Sequence, residues 1–417
     1  MSEFMDALEI RAPQVRERAA LAALPHLLAQ AKAAPGWARI LADVSAGDVD
    51  SRAALAQLPV TRKSDLHQLQ DLQQPFGGLT LAAPNRLRRL YMSPGPIFDP
   101  EGHGADWWRC ARPMFAAGVR AGHIVQNCFS HHFTPAAAMV DGGAARLGCA
   151  VIPAGIGQTE MQVQAMSVLR PDVYAGTPSF LKIIVEKARE MDADISSVQR
   201  AIVGAEALPP SLRAWLRENG VPHVLQMYGS ADIGNIAYES TTDGQVNPGM
   251  ILDEELLLEI VRPGTGDPLP DGEIGEVVIT SFNPDYPLIR FGTGDLSAVL
   301  PGLSPCGRTN TRIKGWLGRA DQTAKVRAMF IHPSQVAQVL KRYPLISKAR
   351  LIVSGNMGND DMTLYCEVEQ PDAAAEMTAA VVDSIRDVTK LRGEVRFVAR
   401  GSLPNDGKVI DDMRKYE

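Results

Sequence analysis

The stretch VLQMYGSADIGNIAYES, residues 224 to 240, decides how this chain is read. Val224, Leu225 and Met227 form an apolar run of strand type, Tyr228-Gly229-Ser230 follows as its exit turn, and Asp232 places a carboxylate just beyond it. In open α/β sheets ligands sit outside the carboxyl ends of the strands, so an acid at that position is a candidate ligand-handling group. An ordinary strand and loop would carry the same letters, and the flanking segments have to separate the two.

Upstream, apolar runs recur at the spacing of strand–helix–strand units. IVQNCF (124–129) and CAVIPAG (149–155) read as buried strands with a helix between them. Thr159 and Gln162 have the spacing of a capping box opening QTEMQVQAMSVLRP, and DVYAGT supplies the next strand. Thr177 is placed to cap the following helix, Pro178 to fill its first turn, and Phe180, Ile183, Ile184 and Ala188 to form its apolar stripe. AIVGAEALPPSLRAWLRENG repeats the theme, and its Gly204-Ala205-Glu206 turn brings backbone close to the sheet edge. Parallel strands joined by helices are therefore expected from about residue 120 to 230, an α/β fold.

Nearer the N-terminus, residues 14 to 42 are rich in Ala, Leu and Arg, and Pro25 and Pro35 predict breaks between short helices. LPVTRKSDL (58–66) reads as a loop and helix start. In RLRRLYMSPGPIFDPEG (86–102), Leu87, Leu90 and Met92 line a strand that leads into a loop with Ser93 and Gly95. Strand-to-glycine-loop junctions can cradle phosphate. Here Pro94 and Pro96 remove two N–H donors while Asp99 and Glu101 add negative charge, which predicts a weakened cradle.

Downstream, LLLEIVRPGTGDPLPDGEIGEVVITSF and IRFGTGDLSAVL predict an antiparallel β subdomain. Asp295 follows a Gly292-Thr293-Gly294 turn, where a carboxylate can accept two ribose hydroxyls; a plain turn aspartate is the other reading. After LSPCGRTNTRIKGWLGRADQ the pattern restarts as helix, two strands, helix and strand, an α+β unit of roughly a hundred residues. This divides the chain into residues 1–319 and 322–417, with a hinge at about 320–321. The chain ends on GSLPNDGKVIDDMRKYE, where Lys408 lies between a glycine turn and a short strand.

The bulk numbers agree with a two-domain globular protein: 417 residues exceed the size at which one core stops growing. A net charge of -6 argues against a phosphate-backbone binder. Cys110, Cys128, Cys149, Cys306 and Cys366 are scattered without a C-x-x-C pair, which argues against a disulfide framework or a four-thiolate zinc site. MSEFMDALEIRAPQ has no apolar run of signal-peptide type, and residues 136–157 are interrupted by Asp141, Arg146 and Pro153, a poor membrane span. A mildly acidic cytoplasmic enzyme fits these features. Phe129, His131, His132 and Phe133, with Trp107 and Trp108, are candidates for an apolar acid pocket, core packing being the alternative. The histidines lack clustered Cys or carboxylates, so no structural metal is expected.

Taken in order, LPVTRKSDL, QNCFSHHFTPAAAMVDGGAARLGCAVIPAGIGQTEMQVQ, RPDVYAGTPSFL, GAEAL, YGSADIG, GEIGEVVIT, IRFGTGDL, GRADQTAKVRAMFIHPSQV and LPNDGKV resemble the adenylate-forming ligases, and within them the phenylacetate-CoA ligase branch. The resemblance covers nearly the whole chain. It implies a large N-terminal AMP-binding α/β domain with a β subdomain and a small mobile C-terminal lid. The reaction it implies uses ATP, Mg2+ and coenzyme A to turn an aryl or arylalkyl carboxylic acid into its thioester through an acyl-adenylate. By the same resemblance Lys408 touches carboxylate and phosphate in adenylation, and Asp295 holds the ribose. Tyr228, with Gly229 and Ser230, lies against adenine, and Gly204, Ala205 and Glu206 form the adenine-edge segment. Arg319 is the joint arginine near the phosphates, Asp321 the hinge, and Asp232 stands where the family usually has a Glu that helps hold Mg2+.

Two positions depart from the family pattern. Ser93-Pro94-Gly95-Pro96-Ile97-Phe98-Asp99 replaces a Ser/Thr/Gly-rich loop ending near a Lys, and Ala328 stands where the family commonly has Gly beside the thiol channel. The altered loop leaves open a non-catalytic nucleotide or acyl-adenylate binding protein on the same scaffold, and transfer to a thiol other than coenzyme A. A homodimer is also left open.

Overall fold

The structure is a computed structural model that describes residues 3–93, 96–320, 324–327, 329–331, 333–356, 359–404 and 408–414. Gly95, Asp321 and Ala328 lie outside the described residues. The chain divides into two compact units, Met1–Gly318 and Arg319–Glu417.

Among the described residues the larger unit is built on a nine-stranded sheet. Its order runs Val299–Leu300, Arg312–Ile313, Met250–Leu252, Gly234–Tyr238, His223–Ser230, Arg200–Val203, Val173–Gly176, Ile124–Asn127 and Ala150–Ile152. The last five pair in parallel, whereas Gly234–Tyr238 and the strands beyond it pair antiparallel. Val173–Gly176 is buried at every position, as a central parallel strand covered on both faces must be. A second sheet holds Leu256–Val261, Gly275–Ser281 and Leu288–Ser297 antiparallel, with Thr61–Arg62 added parallel to the last.

The smaller unit has its own sheet, ordered Glu394–Ala399, Asn359–Val368, Lys348–Asn356 and Ile410–Asp412, and the helices Pro333–Arg342 and Thr378–Thr389. Val339, Leu351, Leu364, Val381 and Ile385 belong to a core separate from those of the larger unit.

Several local expectations are corrected. Pro25 lies inside one helix, Pro13–Ala31, rather than between two. Burial of Leu24, Leu27, Leu28 and Ala31 along its inner face outweighs the lost N–H. No capping box forms at Thr159: Gln158 occupies the cap in left-handed conformation, and the buried Gln162 side chain instead bonds Gly155 O (2.9 Å) and Gln126 Nε2 (2.6 Å). Thr177 does cap Pro178–Glu190, accepting from Phe180 N–H at 3.4 Å. The inward face of that helix is Leu181, Ile184, Val185 and Ala188, while Ile183 is 48% exposed.

The two glycine turns are strand instead. Tyr228-Gly229-Ser230 belongs to His223–Ser230 because Gly234–Tyr238 pairs back on it. A Cβ at Gly229 would come 2.3 Å from the Gly234 carbonyl oxygen, so only glycine permits that pairing. Gly292-Thr293-Gly294 likewise lies within Leu288–Ser297. Ser93 and Asp99 lie in paired strands rather than in a loop: Arg89–Ser93 and Ile97–Glu101 pair as an antiparallel hairpin. Its register buries Tyr91 and Ser93 and exposes Leu90, the reverse of the expected lining.

Candidate functional site

Several of the expected site residues gather at the carboxyl ends of the parallel strands. At the end of His223–Ser230 the buried Tyr228 hydroxyl donates to Asp295 Oδ2 at 2.9 Å, and Trp316 Nε1 donates to Asp295 Oδ1 at 3.0 Å. Thr293 Oγ1 receives the Asp295 N–H at 3.1 Å. Asp295 is thereby oriented through both oxygens from two different segments. An ionised carboxylate offers about four lone-pair sites, so acceptor capacity remains for two further hydroxyls.

Gly204, Ala205 and Glu206 follow Arg200–Val203 at the same edge. Ala205 adopts φ +64, a left-handed conformation that costs a non-glycine residue energy and turns the backbone at this point. Glu206 is fixed below it, its carboxylate accepting from Ser179 Oγ at 2.6 Å and its carbonyl from Gln226 Nε2 at 3.1 Å. Ser230 Oγ accepts the Ile233 N–H at 3.2 Å, shaping the turn that carries Asp232.

Asp232 is buried and ion-paired with Lys63 at the start of Lys63–Leu69. Asp99, from the second strand of the hairpin, is fully buried against it. Burial, followed by the nearby Asp232 charge, pushes the Asp99 carboxyl up to about 8, with Lys63 acting in the opposite direction. Ser93 Oγ, the nearest hydroxyl on the hairpin, is turned to the Ile97 carbonyl at 3.2 Å. Among the described residues, both Asp99 oxygens, Asp232 Oδ1 and the Tyr286 hydroxyl are buried without a hydrogen-bond partner. Burial, and then Asp232 and Asp99, raise the Tyr286 hydroxyl well above the ordinary range.

These unused oxygens bear on Mg2+. Among the described residues no group of three His, Cys, Asp or Glu side chains could hold a metal. Mg2+, however, is commonly held by one or two carboxylates together with substrate phosphates. Asp232, with its Oδ1 unused, presents a hard oxygen donor of that kind, so this residue fits the ion.

The expectation that two acids add free negative charge beside the phosphate site is corrected. Glu101 is neutralised by Arg89 at 2.9 Å and Arg88 at 3.8 Å and accepts the Tyr91 hydroxyl at 2.6 Å. Asp99, with its raised pKa, carries a proton over much of the neutral range.

The four aromatic-pocket candidates do not share one environment. Phe129 is in the core with Met114, Val125 and Leu225, whereas His131 and His132 are exposed and Phe133 is 69% exposed. His131 Nε2 lies 3.5 Å from Asp141 Oδ2, and the Phe133 carbonyl accepts the Met92 N–H of the hairpin at 2.9 Å. Trp107 and Trp108 are buried edge to face, ring centroids 4.4 Å apart.

In the smaller unit, Arg319 is its first residue, and Lys408 is half exposed with Nζ 3.1 Å from Asp411 Oδ1. Lys63, Tyr286 and Trp316 were not singled out by sequence reasoning, and Asp99 was read only as an added negative charge. Lys63 lies in the LPVTRKSDL motif and could have been flagged there; Asp99 needed the hairpin register, and Trp316 left no signal.

The AMP-binding enzyme family model matches residues 119–283. The chain is 30% identical to the phenylacetate-coenzyme A ligase of Thermus thermophilus, over 76% of this chain and 73% of that protein. It is 31% identical to the phenylacetate-coenzyme A ligase of Aromatoleum evansii, over 78% of this chain and 74% of that one. Among solved structures, a 2-hydroxyisobutyryl-CoA ligase in complex with 2-HIB-AMP and CoA superimposes with a TM-score of 0.83 at 23% identity, covering 100% of this chain and 93% of that chain. That likeness shows the adenylate-forming fold.

Proposed function

The chain belongs to the phenylacetate-coenzyme A ligase family, and from that premise we propose that it activates an aryl or arylalkyl carboxylic acid with ATP and transfers the acyl group to coenzyme A in the cytoplasm. The observation that carries this reading is Asp295, held by Tyr228 and Trp316 at the carboxyl-end edge beside Gly204, Ala205 and Glu206. That arrangement suits a ribose clamped next to an adenine-edge backbone.

In the first step an oxygen of the substrate carboxylate bonds to the α-phosphorus of ATP while the P–O bond to pyrophosphate breaks. In the second the thiol sulfur bonds to the acyl carbon, the thiol proton leaves to solvent, and the C–O bond to AMP breaks. Asp295 holds the ribose so that attack is in line, Tyr228 packs on the adenine, and Lys408 sets a positive charge on carboxylate and phosphate. Asp232 would hold Mg2+, which when bound neutralises phosphate charge. Arg319 serves the phosphates, Asp321 the hinge, and the aromatic side of the acid is met by the segment from Phe129 to Phe133.

Acid-dependent pyrophosphate exchange across a panel of aryl and arylalkyl acids, with AMP release on adding coenzyme A, tests the proposal. Absence of both with every acid overturns it. The hairpin in place of a glycine-rich loop favours one second reading, a protein that holds nucleotide without turnover. Saturable ATP binding by calorimetry, with no exchange for any acid, selects it.

A further inference from the structure

The amino ends of the parallel strands carry a different constellation. A cavity of about 540 Å3 opens there, and its lining includes Arg120, Arg200 and His223. Arg200 and His223 are the first residues of Arg200–Val203 and His223–Ser230, and Arg120 precedes Ile124–Asn127. This is the opposite edge of the sheet from Tyr228 and Gly204, so the cavity is no part of the site described above.

We propose that this cavity binds a small organic polyanion, bearing two or more phosphate or carboxylate groups, through Arg120 and Arg200. Among the described residues, neither guanidinium nor the His223 ring is ion-paired with a carboxylate; Arg308, which also lines the cavity, is, at 2.6 Å from Glu9. Arg120 is nonetheless fixed in place. Its Nη1 donates to the carbonyls of Phe115 at 2.7 Å and Val119 at 2.8 Å, and its guanidinium lies 3.7 Å from the Phe115 ring centroid. Neutral acceptors orient the group, and among the described residues the only carboxylate acting on its charge is Glu9, which is already paired with Arg308.

The like charges feel one another. Burial, then Arg200 and Arg308, lower the Arg120 pKa, and burial, then Arg200 and Arg217, lower that of His223. A bound anion relieves that repulsion, and the planar guanidinium fork matches phosphate and carboxylate oxygens. Room for Arg200 depends on Gly118: its φ is +82, and a Cβ there would stand 2.9 Å from Arg200 Nε. Thr242 Oγ1, buried without a partner, lines the same cavity and adds an unused hydroxyl. Glu3 and Asp243 also line it, but both residues are exposed, at its rim. The volume lies within the range of about 300–1,000 Å3 usual for small-molecule sites.

The test is calorimetric titration of the full chain, without ATP or divalent cation, with inorganic pyrophosphate and with citrate as probes. Saturable binding of either is expected, weakened at least tenfold by Arg200→Gln and by Arg120→Gln, and unchanged by Asp295→Ala. Tighter pyrophosphate assigns a phosphate-bearing ligand and tighter citrate a carboxylate-bearing one. Circular dichroism checks that the arginine variants fold, and the exposed His223→Gln provides a milder variant expected to weaken binding severalfold. No saturable binding of either probe overturns the proposal, as does binding that survives all three cavity variants or that Asp295→Ala abolishes.

Discussion

Asp99 shows what a buried charge does when its neighbour is another acid. Its carboxyl is pushed up to about 8 by burial and by Asp232, against about 3.9 for an unperturbed aspartate. Between those values the folded chain keeps a proton that the unfolded chain has released. The contribution to stability is therefore largest below the unfolded value and is lost as pH rises through the folded one. The denaturation midpoint is expected to fall as pH rises from about 4 to about 8, and Asp99→Asn to flatten that slope. The same slope in the variant would assign it to another group. Asp295→Ala is argued from the opposite circumstance, a carboxylate that is well served by donors. Removing it loses charge-assisted hydrogen bonds of about 1.5–3 kcal/mol each, so under the proposed function KM for ATP rises roughly 10- to 100-fold. An unchanged KM would remove Asp295 from the ribose site. Asp295 and Tyr228 could be singled out in the sequence because each stands in a motif of fixed spacing, and the structure brings them into contact. Asp99 was read as a free loop charge, because which face of a strand a side chain takes is invisible until its partner strand is known.

At the level of elements, strands and helices between residues 120 and 230 were legible because buried parallel strands separated by amphipathic helices leave unambiguous apolar runs. Glycine-rich stretches were read less well. YGS and GTG look like turns by composition, yet both lie in strands where the absence of a side chain lets another backbone approach. Gly229→Ala isolates this effect. The added methyl would meet the Gly234 carbonyl at 2.3 Å, forcing apart the pairing of His223–Ser230 with Gly234–Tyr238. Overpacking of this kind costs about 1–3 kcal/mol, and rigid backbone on the other side puts this case at the upper end or above. Urea denaturation reads the loss, and a fully stable variant would contradict the register. Because Asp232 sits in the turn between those strands, its pairing with Lys63 should loosen as well.

For the whole molecule, the apolar residues segregate into separate cores for Met1–Gly318 and Arg319–Glu417. The restart of the strand and helix pattern after the glycine-rich stretch around residue 318 is the trace this leaves in sequence. An acid pocket would leave no such trace, since aromatic side chains near strand ends serve cores and ligands alike. Lys408 is where the proposed chemistry can be separated from folding. Its ion pair with Asp411, at 3.1 Å, is half exposed, and surface pairs of this kind contribute about 0–1 kcal/mol. Lys408→Ala should therefore leave the thermal transition of the protein nearly unmoved. If Lys408 acts on the developing charge of the adenylation step, pyrophosphate exchange should fall by about 100- to 1,000-fold, the loss typical of removing one group placed for transition-state charge. Thioester formation from a supplied acyl-adenylate and coenzyme A should fall no more than severalfold, because the α-phosphorus is not attacked in that half. Equal losses in both halves would point to a binding role for Lys408, and unchanged exchange would remove it from the mechanism.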